Sequence, residues 1–164
     1  MNFYSKAQFY GVYKKVLKPP MTLDGVKHSI AMMKALPEMF PSPVALPKKM
    51  GQASEAMLHI LEPTENPDSF LKGRPLSCPV LIVSENNCML AIGTTPVTTF
   101  PKDLHEGVLY LLAYYYAFHL VYPKCVATLL SVLQTEVISD AIHGRDATSS
   151  YKKVISEWKK FIGE

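Results

Sequence analysis

The sequence lacks the short motifs that mark most nucleotide-dependent and metal-dependent enzymes. It contains no GxxxxGK(S/T) phosphate loop, no GxGxxG dinucleotide turn, no GxSxG nucleophile elbow and no HExxH zinc helix. Its 8 glycines are isolated from one another, which removes most loops that cradle a nucleotide. We therefore predict no catalytic residue and no cofactor, and a non-enzymatic protein is favoured.

Cysteine is also scarce, since the chain has only Cys78, Cys88 and Cys125. An odd number without close spacing argues against a secreted disulfide framework. No CxxC pair occurs and no two histidines are closely spaced, so no metal site is predicted. The N-terminus has no charged segment followed by an apolar one, and hence no secretory signal. We expect an intracellular protein, cytoplasmic or nuclear.

The excess of positive charge is small, a net +3. A nucleic-acid-binding protein usually has basic residues concentrated on one face, whereas many lysines of this sequence come as pairs scattered along the chain. Solvated helix faces explain such pairs, and nucleic-acid binding stays the alternative. The phosphate contacts of that alternative would be Lys152, Lys153, Lys159 and Lys160.

The chain does have enough apolar residues for a core: 48% of 164, which suits one domain with appended ends. An amphipathic helix is predicted over Phe3–Leu17 and is stopped by Lys18-Pro19-Pro20. A second helix is predicted from Thr22 to about Leu36, closed by Pro37. The prolines between Pro41 and Pro47 then predict an extended connector.

The middle of the chain predicts strands. Ala56–Leu61 is a short apolar run, and Pro63–Arg74 is predicted to be a polar loop. Pro79–Val83 and Cys88–Ile92 are apolar, rich in β-formers and joined by turn-forming residues, which is the pattern of a hairpin. Since both runs are continuously apolar, we expect the sheet to be covered on both faces, or on one face by helices.

The C-terminal half predicts helices. Val108–Tyr122 is almost wholly apolar, but it is shorter than the ~20 residues of a membrane span, and it carries several tyrosines. A helix that is apolar all round in a soluble protein is a central core helix. Pro123 breaks it and begins the next, so Leu104–Ile138 is predicted to be a pair of buried helices.

A last amphipathic helix follows the linker Gly144–Thr148, with Asp146 or Thr148 as its cap. Its apolar stripe is the predicted interaction surface, because aromatic side chains concentrate binding energy. The stripe consists of Tyr151, Val154, Ile155, Trp158, Phe161 and Ile162.

The order of these elements predicts an α+β fold, in which a small antiparallel sheet of about three strands packs against buried helices. Three parts are expected along the chain. Residues 1–20 form an N-terminal helix and linker, residues 21–143 the α+β core, and residues 144–164 the C-terminal amphipathic helix.

Two residues of the helix pair carry a chemical alternative. His119 can act as a general base or a pH-sensitive contact, although a histidine bonded at a helix end is the commoner outcome. Cys125 is predicted in the first turn of the following helix, where the helix dipole and Lys124 can activate a thiol. Together His119 and Cys125 suggest a polar core pair or a reactive dyad.

The same helix pair resembles a known family. Its residues match a Tyr-Ala-x-His-Leu-x-Tyr-Pro-Lys-Cys phrase in the C-terminal region of the sterile alpha motif domain-containing protein 3-like proteins. The matching residues are Tyr116, Ala117, His119, Leu120, Tyr122, Pro123, Lys124 and Cys125, and Leu36-Pro37-Glu38-Met39-Phe40 is similar to the family's approach to its sheet. The similarity spans about Met21 to Ile138.

The resemblance implies a regulatory or scaffolding protein, in which this domain accompanies an oligomerising sterile alpha motif, and it assigns no catalytic residue. This sequence has no such motif of its own. We therefore favour a non-enzymatic interaction or scaffolding module that binds a protein partner or itself, away from membranes. The alternatives are a nucleic-acid-binding domain of mobile-element origin and a thiol enzyme that uses Cys125 and His119.

Overall fold

The computed structural model describes residues 25–138, 140, 142 and 147–163, and of residues 25, 26, 28 and 105 it describes the backbone alone. The helices in this part of the chain are α1 (Gly25–Met39), α2 (Pro67–Gly73), α3 (Leu104–Ala117), α4 (Ala127–Glu136) and α5 (Ser149–Ile162), and Ala53–Ala56 is a 3₁₀ turn. The strands are β1 (Leu58–Ile60), β2 (Val80–Val83), β3 (Asn87–Ile92) and β4 (Thr95–Pro101). The predicted α+β class is confirmed.

The chain divides into two compact units. The continuous unit, Ala45–Pro123, contains the whole sheet with α2 and α3. The discontinuous unit combines the described residues up to Val44 with those from Lys124 onward, and so contains α1, α4 and α5. The predicted boundaries at residues 20 and 143, like the helix predicted over Phe3–Leu17, fall outside the described residues and stay predictions.

The sheet has four strands in the order β1-β2-β3-β4. The predicted hairpin is confirmed, because β2 and β3 are antiparallel with Val83 opposite Cys88. The prediction of about three antiparallel strands is wrong in two respects: β1 runs parallel to β2, and β4 adds a fourth strand beside β3. Parallel neighbours need a crossover connection, and α2 lies within it.

β4 escapes prediction from the sequence because it contains Pro96 and Pro101. Prolines are tolerated on an edge strand, whose outer N–H groups have no partner strand. Gly93, with φ 60°, and Thr94 form the two-residue turn that leads into β4. A bulge at Val97, opposite the Leu90/Ala91 step, interrupts the ladder and protects the edge from pairing with another chain.

The prediction of a polar loop over Pro63–Arg74 is wrong, since the segment contains α2. Asn66 caps this helix: its Oδ1 accepts the N–H of Asp68 at 2.8 Å. Pro67 occupies the first helical position, where its missing N–H is not needed. Asn66 and Pro67 together are a typical start of a helix, although the segment as a whole is polar enough to resemble a loop.

Helices cover both faces of the two central strands. On one face α2 contributes to a buried cluster of Leu71, Val80, Ile82 and Ala91. On the other face α3 lies over β2 and β3. Its Gly107 is close to the sheet, because a Cβ built there would come within 2.8 Å of Leu81 Cδ2. Because residue 107 is glycine and has no side chain, α3 can lie close to the sheet.

α4 is the central helix of the discontinuous unit, since every residue from Thr128 to Gln134 is buried. It is the buried helix that the sequence predicts, although it begins at Ala127 and not at Pro123. Its N-cap residue, Val126, has no side chain able to cap. Ser42 supplies the cap from the proline-rich connector, because its Oγ accepts the N–H of Thr128 at 3.2 Å.

α1 continues past Pro37, which was expected to end it, as far as Met39. Proline removes one N–H donor from a helix, but the neighbouring bonds remain. The N–H of Phe40 donates to the carbonyl of Leu36 at 3.1 Å, so the last turn still closes around the proline. The expected connector follows without regular secondary structure from Pro41 to Met50.

Polar atoms fix α5 against α4. The Tyr151 hydroxyl donates to Thr135 Oγ1 at 3.2 Å, and the Trp158 indole N–H donates to Glu136 Oε2 at 3.0 Å. The Trp158 ring also meets Phe40 edge to face, with ring centroids 5.9 Å apart. α5 thus has a defined place within its own unit.

Both ends of α5 are capped. The Thr148 side chain accepts the N–H of Tyr151 at 3.1 Å, so Thr148 is confirmed as the cap, and Asp146 lies outside the described residues. Gly163, with φ 84°, ends the helix in the left-handed conformation that glycine adopts without steric cost.

None of the described helices combines the length and the hydrophobicity that crossing a membrane requires.

Replacing Gly107 by alanine is expected to destabilise the protein by about 1 kcal/mol. The methyl group gains roughly 1 kcal/mol of helix propensity, but it collides with the fully buried Leu81, and overpacking of a core costs about 1–3 kcal/mol. Urea unfolding followed by circular dichroism measures the difference. Gly73→Ala is the matched control, because no neighbouring atom in the described part of the chain lies within 4 Å of its new methyl. A stabilised Gly107→Ala protein contradicts the close contact.

Candidate functional site

α3 packs against the sheet along one side only. Its inward residues Leu104, Leu111, Leu112 and Tyr115 are buried. The prediction that this helix is buried all round is wrong, since apolar residues continue around its outward side, where they are exposed. α3 has apolar residues on every side, yet it is not a helix buried on every side.

Apolar side chains are exposed on the outward side of α3 and just beyond its end. Leu109, Tyr110 and Tyr116 are 47%, 39% and 40% exposed, and Phe118 and Val121, just beyond the helix end, are 54% and 88% exposed. Ala113 and Ala117 are also exposed, and their spacing places them on the same helix face. We call these seven residues the α3 apolar face.

One carboxylate borders the α3 apolar face at the start of the helix. The Tyr110 hydroxyl donates to Glu106 Oε1 at 2.6 Å. This hydrogen bond raises the pKa of Tyr110 above its ordinary value. The Tyr110 ring also meets Phe100 edge to face, with centroids 5.0 Å apart. The aromatic ring at this end of the face is therefore held in one orientation.

An exposed apolar surface of this kind indicates an interaction site. Single exposed apolar residues are common on all proteins, but contiguous apolar patches of several hundred Å² mark interaction sites. Between Leu109 and Ala117 the α3 apolar face contains no charged side chain, and its only polar groups are tyrosine hydroxyls. We therefore take it as the candidate functional site.

His119 lies at the C-terminal cap of α3, not in a polar core. Its φ is 51°, the left-handed region. Its N–H donates to the Tyr116 carbonyl at 3.1 Å, and the N–H of Leu120 donates to the Tyr115 carbonyl at 2.9 Å. This pair of bonds is the Schellman motif, which ends the helix five residues before the predicted Tyr122. The imidazole is exposed.

Cys125 is buried, with 8% of its surface exposed. It was expected in the first turn of its helix, which is wrong, because α4 begins at Ala127 after the N-cap Val126. His119 belongs to the continuous unit and Cys125 to the discontinuous one. The proposed dyad of these two residues therefore stays a prediction.

The apolar stripe of α5 is largely occupied within its own unit. Tyr151, Val154 and Trp158 are buried, and the other three members, Ile155, Phe161 and Ile162, are half-buried. This packing leaves the predicted interaction surface far less accessible than the α3 apolar face. A role of the stripe in binding a partner stays a prediction.

The lysines of α5 share the opposite side of the helix. Lys152, Lys153, Lys159 and Lys160 are all exposed. At 3.6 residues per turn they fall within roughly a third of the helix circumference. α5 therefore presents a basic surface as well as a buried apolar stripe.

A histidine–carboxylate pair that the sequence did not single out lies beside β1. His59 Nε2 is 3.0 and 2.9 Å from the two Glu65 carboxylate oxygens, and the His59 ring stacks on Phe70 at 3.7 Å. Burial raises the pKa of Glu65, but the bonds from His59 and from the N–H of Glu62 outweigh it and hold that pKa below its ordinary value. The pair fastens the loop between β1 and α2.

Within the described ranges, no three metal-ligating side chains come together. Comparison with protein-family models, with curated proteins and with solved structures found no match. The resemblance to the sterile alpha motif domain-containing protein 3-like family accordingly stays a prediction.

Replacing His119 by glycine is expected to stabilise the protein by about 0.5–1 kcal/mol, because a side chain at positive φ costs about 1–2 kcal/mol and the glycine gives part of this back as chain entropy in the unfolded state. His119→Ala is the control, since it removes the imidazole but keeps the Cβ. Urea unfolding curves compare the two variants. A His119→Gly protein no more stable than His119→Ala rules out the left-handed cap.

Proposed function

We propose that this protein is a non-enzymatic interaction module that self-associates through the α3 apolar face. The observation that carries the proposal is the exposure of Leu109, Tyr110 and Tyr116 on one side of α3, with Phe118 and Val121 exposed just beyond its end. Leaving such a surface in water is unfavourable by about 25 cal/mol per Å² of apolar area. A second copy of the chain would remove this cost.

The face suits an antiparallel pair of α3 helices related by a two-fold axis. Ala113 lies near its middle, and a small residue there allows two helices to approach closely. Glu106 lies at one end of the face, before Ala113, so a two-fold axis near Ala113 separates the two Glu106 residues by roughly 21 Å along the helices, at about 1.5 Å per residue. The surface is thus complementary to itself, as a two-fold interface must be.

The size of the face fits a reversible dimer. Five large side chains that are 39–88% exposed offer on the order of 500 Å², given about 150–250 Å² for a large side chain. A standard interface buries roughly 800 Å² per partner. The α3 apolar face would supply the apolar centre, and surrounding polar residues would supply the rim.

The family resemblance is consistent with this proposal. It implies a scaffolding protein in which oligomerisation matters, and it places its most characteristic residues, Tyr116 to Cys125, at the end of α3 and just beyond it. A thiol enzyme built on Cys125 has less support, because that sulfur is buried.

Ala113→Glu is expected to abolish the dimer. It places two like charges on either side of the two-fold axis, which costs several kcal/mol and weakens association by about 100-fold or more. Light scattering over a range of concentrations should give twice the 18.3 kDa of one chain for the unaltered protein, and that mass alone for the variant. Leu109→Glu is the second variant and should act alike.

Val44→Glu is the matched control, because Val44 is 45% exposed, lies in the connector and does not belong to the α3 apolar face. It should leave the dimer intact. A chain that is monomeric at every concentration, or a dimer that Ala113→Glu and Leu109→Glu leave unchanged, overturns the proposal. A monomer that captures a different protein through this face would identify a heterologous partner instead.

Nucleic-acid binding is the second candidate, because the four exposed lysines share one side of α5. Such binding would release counterions from the phosphates and weaken steeply with salt. We expect replacement of Lys152, Lys153, Lys159 and Lys160 by Gln to remove any retention of DNA or RNA on a filter at low salt. Replacement of Lys48 and Lys49, outside α5, is the control. Absence of retention by the unaltered chain eliminates this candidate.

A further inference from the structure

Cys78 lies beside a guanidinium and a phenol in the continuous unit. Arg74 Nη2 donates to Cys78 Sγ at 3.2 Å, and the Tyr115 hydroxyl is hydrogen-bonded to the same sulfur. The thiol can direct its own hydrogen to the Ala56 carbonyl oxygen, 3.6 Å away. Two donors, one of them cationic, therefore converge on one sulfur atom.

Backbone carbonyl groups hold the guanidinium in place. Arg74 Nη1 donates to the carbonyl oxygens of Leu76 and Cys78 at 3.0 and 2.6 Å, and Nη2 donates to that of Ala56 at 2.9 Å. These partners are neutral, so they orient the positive charge without cancelling it. The charge beside the sulfur is therefore both fixed and available to an anion.

One donor of this guanidinium has no acceptor. Arg74 Nε is buried and has no hydrogen-bond partner among the described residues. Nε and Nη2 lie on the same edge of the planar guanidinium, and Nη2 is the atom that contacts Sγ. A buried N–H without an acceptor is unfavourable. An oxygen atom attached to Sγ would lie beside this edge.

We propose that Cys78 is a site of reversible oxidation by hydroperoxides, with Arg74 binding the oxygen that the sulfur gains. The Cys78 sulfur attacks one oxygen of hydrogen peroxide, an S–O bond forms and the O–O bond breaks. The leaving hydroxide takes the thiol proton and becomes water. The sulfur is oxidised by two electrons to a sulfenic acid, and the peroxide is reduced.

The surroundings of the three cysteines make Cys78 the selective target. Cys88 is fully buried and Cys125 is 8% exposed, whereas Cys78 is partly exposed. Burial raises the pKa of the Cys88 thiol, which lowers its reactivity. Burial, and then Cys78 itself, raises the pKa of Tyr115 above its ordinary value. Its hydroxyl therefore keeps its proton and remains a donor to the sulfur.

The test is to treat the reduced full chain with hydrogen peroxide in the presence of dimedone, which traps sulfenic acids, and to quantify each cysteine peptide by mass spectrometry. We expect Cys78 to be labelled about tenfold faster than Cys88 or Cys125, because oxidation of a cysteine follows the access of the peroxide to its sulfur. Equal labelling of the three, or faster labelling of Cys88 or Cys125, overturns the proposal.

Tyr115→Phe and Tyr110→Phe separate a specific effect from a general one. Both remove a hydroxyl from α3, but Tyr110 bonds Glu106 and not Cys78. Tyr115→Phe should slow the labelling of Cys78 several-fold, and Tyr110→Phe should leave it unchanged. Equal rates in the two variants contradict the role of the phenol.

Arg74→Lys tests the guanidinium, because it keeps the positive charge but removes Nε. In this variant the sulfenic acid of Cys78 should be oxidised faster to sulfinic acid. An unchanged lifetime of the Cys78 sulfenic acid in a folded Arg74→Lys protein contradicts the role of Arg74.

Discussion

The contact of Gly107 with Leu81 determines much of what the continuous unit presents to its surroundings. Because position 107 has no side chain, α3 lies close to β2 and β3, and its inward residues complete the core above the sheet. The same placement brings Tyr115 to Cys78 on the inner side and leaves the α3 apolar face exposed on the outer side. A helix held further from the sheet would change both surfaces at once.

The sequence predicts best those features that depend on near neighbours. The hairpin of β2 and β3, the burial of α4 and the Thr148 cap follow from local apolar runs and capping chemistry, and all are confirmed. β4 and α2 could in part have been recognised, from the Gly93-Thr94 turn and from Asn66-Pro67. The exposure of α3 could not, because composition records hydrophobicity and does not record which neighbours a helix has.

The chemistry of the candidate sites shows the same limit. His119 attracts attention as a titratable side chain, but the structure depends on its backbone conformation. The Cys78 cluster joins a turn, a loop and a helix, since its members Ala56, Cys78 and Tyr115 are distant in sequence. Contacts of this kind arise from the fold and leave no motif. Sequence motifs therefore point to Cys125, which is buried, and not to Cys78.

The division into a continuous and a discontinuous unit has a consequence for synthesis of the chain. Ala45–Pro123 is complete once its last residue leaves the ribosome, whereas α1 must wait for α4 and α5 to emerge. At about 5–20 residues per second this wait is on the order of ten seconds. During that time Phe40 lacks Trp158, whose ring it meets edge to face, and Ser42 lacks the helix α4 that it caps. The segment from α1 to Ser42 is therefore made early but gains these contacts only near the end of synthesis.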